Sequence, residues 1–179
     1  MKPKLGLWIQ VHLVRCYMCE DFILKKTGRT VKEHQQMTTT NYRDLLTEMD
    51  AIECTTQIMP VLQGYEPEEY AAHLKNYGGL IAQDAWVGVG SVCKRNSNPQ
   101  SVASVLDAIL DARPDLRLHG FGIKQTCLQD SYIADRLFSA DSMAWSFAAR
   151  YEGGSPNDPE LALKYKEKIE TMPVQMNFL

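Results

Sequence analysis

Phe138–Arg150, FSADSMAWSFAAR, sets the reading of the whole chain. Phe138, Ser139 and Ala140 end a strand, and Asp141 and Ser142 stand where strand gives way to helix. Met143, Ala144, Trp145, Phe147, Ala148 and Ala149 then form an apolar helical run ending at Arg150 and Tyr151. An acid at such a junction has two readings. As an N-cap, the Asp141 carboxylate accepts from amides one turn on, worth about 1 kcal/mol. As the end of a strand in an α/β barrel, it stands where such folds place catalytic groups. Spacing alone favours the cap, so the rest of the chain has to decide.

Outward from this junction, strands and helices alternate. Leu5–Val14, LGLWIQVHLV, is rich in β-branched and aromatic residues and reads as a buried strand. Gln57–Gln63, QIMPVLQ, is a second strand that carries Pro60 and ends at Gly64. Trp86–Val92, WVGVGSV, is a third, Leu116–Gly122, LRLHGFG, a fourth, and the opening stretch supplies the fifth. The helices between them carry local start signals. Thr30-x-x-Glu33 is a capping box, and Val31, His34, Tyr42, Leu45, Leu46 and Met49 follow it at approximate helical spacing. Glu66-Pro67 starts a helix that Gly78-Gly79 stops, and Asn98-Pro99 starts one through Val102, Val105, Leu106, Ile109 and Leu110. A short helix covers Ser131–Leu137. A period of about 25–30 residues per unit is the pattern of βα units on a parallel sheet. After Arg150 a polar linker, Glu152–Pro159, leads to a charged helix through Leu161, Leu163, Tyr165 and Ile169. The expected division is therefore 1–151 for the βα part and 152–179 for linker, helix and tail.

The totals narrow the function classes. A length of 179 residues suits one domain, and 45% hydrophobic content suits a sizeable core. A net charge of −3 gives no global basic field for nucleic acid, which leaves only local patches. The apolar run Leu5–Val14 is broken by Gln10 and His12 and falls short of the roughly 20 residues of a membrane span. It also lacks the small-residue cleavage site of a signal peptide, so a cytoplasmic chain with no membrane contact is expected. Five cysteines, an odd number, fit reduced thiols better than a disulfide framework. Cys16 and Cys19 have C-x-x-C spacing, but Cys54, Cys93 and Cys127 are scattered singly, so neither a metal nor a cofactor is expected.

The strand ends share a character: Gln63-Gly64, Gly88-Val89-Gly90-Ser91, His119-Gly120-Phe121-Gly122 and Asp141-Ser142. In a parallel sheet all of these fall at the carboxyl edge, where such folds bind ligands. Glycines there admit a flat ligand to the backbone. A glutamine amide can read a donor–acceptor pair on a base edge. An imidazole face can stack on a base, and a carboxylate can attack a sugar carbon. Together they point to a planar, amide-bearing ligand.

With these motifs the chain resembles the tRNA-guanine transglycosylase superfamily. It is most similar to the queuine tRNA-ribosyltransferase-like branch of phage and bacterial genomes, which includes enzymes that insert 7-deazaguanine bases into DNA. The resemblance runs from Tyr17 to Arg150. Met18–Gln35, Pro60–Tyr70, Trp86–Arg95, Arg117–Lys124 and Ser139–Arg150 carry it, in order. It implies a TIM-type (β/α) barrel that exchanges guanine for a 7-deazaguanine in tRNA or DNA through a covalent nucleotide–enzyme intermediate. Asp141 then matches the nucleophile that attacks C1′, when aligned on the archaeal-type Asp-Ser pattern with an aromatic four residues on, here Trp145. A register set on the bacterial pattern places Ala144 there instead. Asp141 is preferred as the only acid in the segment able to attack carbon. Gln63 and Gly64 match the pair that contacts the base carbonyl edge. Gly88 and Gly90 match the segment lining the base pocket. His119 falls where the family packs a residue on the base face, and Gly120 keeps that strand end open. Lys94 and Arg95, just past the glycine strand, suit phosphates of the nucleic acid, although a solvated loop pair is an equal reading of them.

Three departures from the family stand out. Cys16 occupies the place where the family usually has an aspartate that reads the base's amidine edge. The C-terminal Cys/His zinc cluster of the tRNA enzymes has no counterpart. Five strands fall short of eight, and a TIM barrel takes about 250 residues. The expectation is thus an α/β fold forming part of a barrel, about five βα units with parallel strands plus a C-terminal helix, similar to the C-terminal part of the family's barrel. An N-terminal half-barrel partner or a homo-oligomer would cover its open edges. The competing reading is a non-catalytic family remnant or subunit that binds a base, nucleic acid or protein.

Overall fold

The structure is a computed structural model describing residues 12–13, 19, 21–54, 56–95, 98–151 and 153–172, with the backbone alone at 12, 13, 21, 22 and 94. The strands are β1 (His12–Leu13), β2 (Ile58–Met59), β3 (Val61–Leu62), β4 (Trp86–Val89), β5 (Arg117–Gly120) and β6 (Leu137–Ala140). The α-helices are α1 (Asp21–Thr27), α2 (Val31–Ala51), α3 (Pro67–Tyr77), α4 (Pro99–Ala112), α5 (Gln125–Leu128), α6 (Ser131–Arg136), α7 (Ala144–Tyr151) and α8 (Pro159–Thr171). β1 pairs with β2, and β3-β4-β5-β6 form a sheet in chain order; every pairing is parallel. Pro60, which has no N–H, separates β2 from β3. Its carbonyl still accepts from the Gly88 amide at 2.9 Å, so the two pieces follow one line.

A sheet in chain order has no switch point of the doubly wound kind. Right-handed crossovers then place every helix on the same face and leave the other for a barrel interior. The fold class expected from the sequence, a partial β/α barrel, is met. Of the strand expected over Leu5–Val14, only β1 is described, and its other residues lie outside the described set. The third expected strand stops at Val89 instead of Val92, because Ser91 takes a left-handed backbone (φ 58) that no ladder can hold.

The helix-facing side of the sheet makes the core. Leu62, Val87, Val89, Leu118 and Leu137 pack with Tyr70, Leu74 and Tyr77 of α3 and Val102, Val105, Leu106 and Ile109 of α4. Ile169 of α8 and the following Met172 are buried with the same cluster. α2 begins with the expected capping box: Thr30 Oγ1 accepts from the Glu33 amide, and the Glu33 carboxylate accepts from the Thr30 amide at 2.7 Å. α3, α4 and α8 each open on a proline, as read.

The edge of β3 is closed without a strand. Val61 and Gln63 turn their backbone groups away from β4. The Tyr77 hydroxyl donates to the Val61 carbonyl at 2.9 Å and accepts from its amide at 3.3 Å. The Gln63 amide donates to His73 Nδ1 at 2.9 Å, and Gln35 Nε2 donates to the Gln63 carbonyl at 2.7 Å. Side chains of α2 and α3 thus take the place of a neighbouring strand. The opposite edge, β6, has no strand beyond it among the described residues.

Candidate active site

The strand ends gather two clusters. The first surrounds Gln63, which is fully buried. Ser91 Oγ donates to Gln63 Oε1 at 2.5 Å and accepts from the Cys19 amide at 2.9 Å. Gly90 lies against the same amide group: a Cβ there would stand 2.3 Å from Gln63 Nε2. The Tyr70 hydroxyl donates to the Gly90 carbonyl at 2.8 Å, and its ring lies against Gly64. Gln63, Gly64 and Gly90 are thus brought together, with the glutamine carbonyl turned to Ser91. Behind them, burial depresses His73 to about 4. Its Nδ1 accepts from a backbone amide, so its proton sits on Nε2, which faces the Gln35 carbonyl at 3.0 Å.

The second cluster lies on the face away from the helices. Gly88 pairs with His119, and His119 with Ser139, across β4, β5 and β6. A one-residue bulge makes this alignment. Leu118 pairs with Leu137, yet the next residue, His119, pairs with Ser139, leaving Phe138 as the extra residue. Without that bulge, the period of two would turn Ser139 toward the helices. With it, Ser139 and, two residues on, Asp141 share the face of His119. Trp86 Nε1 donates to Ser139 Oγ at 3.0 Å, and Ser139 Oγ lies 2.8 Å from His119 Nδ1. His119 Nε2 lies 3.6 Å from Asp141 Oδ2. The Gly122 amide donates to Asp141 Oδ1 at 2.5 Å. The edges of Trp86 and Phe121 meet the His119 ring at centroid distances of 5.8 and 4.7 Å. The Phe121 ring also lies over Gly88, where a Cβ would come within 2.4 Å of it. Gly120 packs under Ile123 on the core side.

Asp141 is not the cap of α7. Its carboxylate goes to Gly122 and toward His119, whereas Ser142 Oγ accepts from the Ala144 amide at 3.3 Å. More than half of the Asp141 side chain is exposed, 55%, against 12% for His119. A nearly buried imidazole therefore backs a carboxylate that a ligand can reach. The sequence does not mark Ser139 and Trp86 as site residues, because only the bulged register aligns them with His119.

Arg95 is held by the loop between β3 and α3: Nη2 donates to the Tyr65 carbonyl and the guanidinium lies 4.8 Å from the Tyr65 ring centroid. The Lys94 side chain and Cys16 lie outside the described residues. Among the described residues, no group of three or more His, Cys, Asp or Glu is arranged to hold a metal. No helix among them is long and apolar enough to cross a membrane. A cleft of about 300 Å³ lies elsewhere, between α2 and α3, lined by Lys32, Gln36, Thr39, Thr40, Arg43 and Asn76. None of the candidate site residues read from the sequence lines it.

A family model described as DpdA, DeoxyPurine in DNA protein A, matches residues 9–162. None of the curated proteins matches the chain.

Proposed function

The chain belongs to the DpdA family, which is tRNA-guanine transglycosylase-like, and on that premise we propose that it exchanges a guanine of DNA for a 7-deazaguanine base through a covalent intermediate on Asp141. The observation that carries this reading is the Asp141 carboxylate: exposed at a strand end, one oxygen held by the Gly122 amide and the other facing His119. In this reading Asp141 attacks C1′ of the nucleotide and the C1′–base bond breaks, so that a second base can enter and reverse the step. Gln63, Gly64, Gly88, Gly90, His119 and Gly120 form the base site, and Lys94 and Arg95 meet phosphates. A base in duplex DNA has to be extruded before reaction. The same chemistry on tRNA is the alternative that the wider resemblance keeps open, and the family's description favours DNA. Residues 1–151 would carry the site and 152–179 would append the last helix, with a second barrel part or a second copy covering β6.

A specific observation favours a second reading, a non-catalytic subunit. The space over Gly88 is filled by Phe121 and that over Gly90 by the Gln63 amide. One experiment separates the two. The full chain is incubated with guanine-containing duplex DNA, then denatured and resolved for a covalent protein–DNA adduct. The transglycosylase reading expects an adduct with the wild type and none with Asp141→Asn. An adduct that survives the substitution moves the nucleophile elsewhere, and no adduct at all leaves the binding subunit.

A further inference from the structure

We infer that His119 is the proton carrier of this site and that Ser139 and Trp86 are the residues that position it. The inference rests on the transglycosylase reading for its chemistry, but its geometry stands alone. An indole N–H can only donate, so Trp86 Nε1 occupies one lone pair of Ser139 Oγ. Ser139 keeps its own hydrogen and one further lone pair for His119 Nδ1, 2.8 Å away. At the other end, Nε2 faces an Asp141 oxygen at 3.6 Å, and a carboxylate can only accept. A neutral ring protonated on Nδ1 would turn the Nε2 lone pair toward that carboxylate. The arrangement therefore selects a proton on Nε2, either in the neutral ring, with Ser139 donating to Nδ1, or in the imidazolium, with Nδ1 donating to Ser139. The hydroxyl serves both states without moving. Among the described residues the ring meets Asp141, Ser139, Trp86 and Phe121, and of these Asp141 is the charged one.

An Asp141 oxygen bonds to C1′ while the C1′–base bond breaks and its electron pair goes to the base. The imidazolium gives its Nε2 proton to the departing base, which leaves neutral. The ring becomes neutral with its remaining proton on Nδ1, donated to Ser139. Esterified Asp141 no longer carries a charge, so the bare Nε2 has lost the carboxylate it would have opposed. The incoming base returns its ring proton to Nε2 as the C1′–oxygen bond breaks.

Two measurements on the full chain test this. In the first, histidine is labelled with ¹⁵N, and the His119 signals are identified by their loss in His119→Gln. Protonation on Nε2 is expected at neutral pH, and a mixture of tautomers in Ser139→Ala. A wild-type ring protonated on Nδ1 alone overturns the inference, whatever the activity. In the second, the rate of adduct formation on guanine-containing duplex DNA is followed against pH, with each variant's fold checked by its thermal melt. His119→Gln should lose about a hundredfold or more, together with the fall in rate on the alkaline side. Ser139→Ala should lose about tenfold and alter the same limb, and Ser139→Thr should restore it. Unchanged rates in His119→Gln and Ser139→Ala, with Asp141→Asn inactive, overturn the inference and leave the transglycosylase reading standing. No adduct with the wild type overturns that reading and the proton-carrier role together, and the tautomer still decides the positioning.

Discussion

At Gly90 the place of a methyl group is already taken, by the amide of Gln63. Behind it stands His73 of α3, whose Nδ1 accepts from the Gln63 backbone N–H only while unprotonated. This makes His73 a source of acid sensitivity. Its value is about 4 in the folded chain against an ordinary 6.5, so between those pH values the unfolded chain binds more protons. Stability is therefore expected to fall as pH drops from 6.5 toward 4 and to lose no more from this group below that. At 1.36 kcal/mol per unit the loss is on the order of 3 kcal/mol. Urea unfolding of the wild type and His73→Gln at pH 7 and pH 4.5 checks this: the variant should show a shallower dependence, and equal slopes would remove His73 as the cause. At this scale the sequence shows Asp141 and His119, because a strand-end acid and imidazole are visible as residue types in position. It does not show Trp86 and Ser139, since their meeting depends on a pairing register that composition does not carry.

Among the elements, the closed edge of β3 is the feature with the sharpest consequence. One hydroxyl, that of Tyr77, satisfies both the amide and the carbonyl of Val61. Tyr77→Phe keeps the ring and removes that partner from two buried backbone groups. A loss of about 1–3 kcal/mol in urea unfolding is expected. A change within error would mean that water serves Val61 as well. Elements with local punctuation were legible: the Thr30 capping box and the prolines at 67, 99 and 159 mark the helix starts. Two elements were missed for opposite reasons. α1 has a stop signal visible in the sequence, Gly28, which takes φ 63 in the structure, but no capping box or proline at its start to pair with it. α5 is a four-residue turn whose N-cap, Lys124, makes no side-chain capping bond. The bulge at Phe138 was invisible because a period-two reading assumes that no residue is skipped.

Among the described residues, the molecule is a parallel sheet in barrel order with one sealed edge and one open one. Around the open edge Phe138, Met143, Phe147 and Leu163 are exposed, at 40, 57, 55 and 59%. Large apolar side chains grouped beside an unpaired strand favour association. The chain of 20.3 kDa is therefore expected to run above its monomer mass in size-exclusion chromatography with light scattering, and Phe147→Asp to shift it down. A wild-type monomer at every concentration would show that the open edge needs no cover. The barrel-like architecture was legible because the repeat of βα units is a long-range regularity. The sealed edge was not, because it depends on three polar side chains meeting backbone groups from distant positions. The chain-order sheet has one more consequence, for synthesis. Each strand from β4 to β6 pairs with the strand made just before it, so on the ribosome the sheet can lengthen one βα unit at a time, without waiting for a distant segment. Asp141 and Ser139 arrive with the last of these strands. The nascent chain thus holds β3, β4 and β5 before Asp141 emerges.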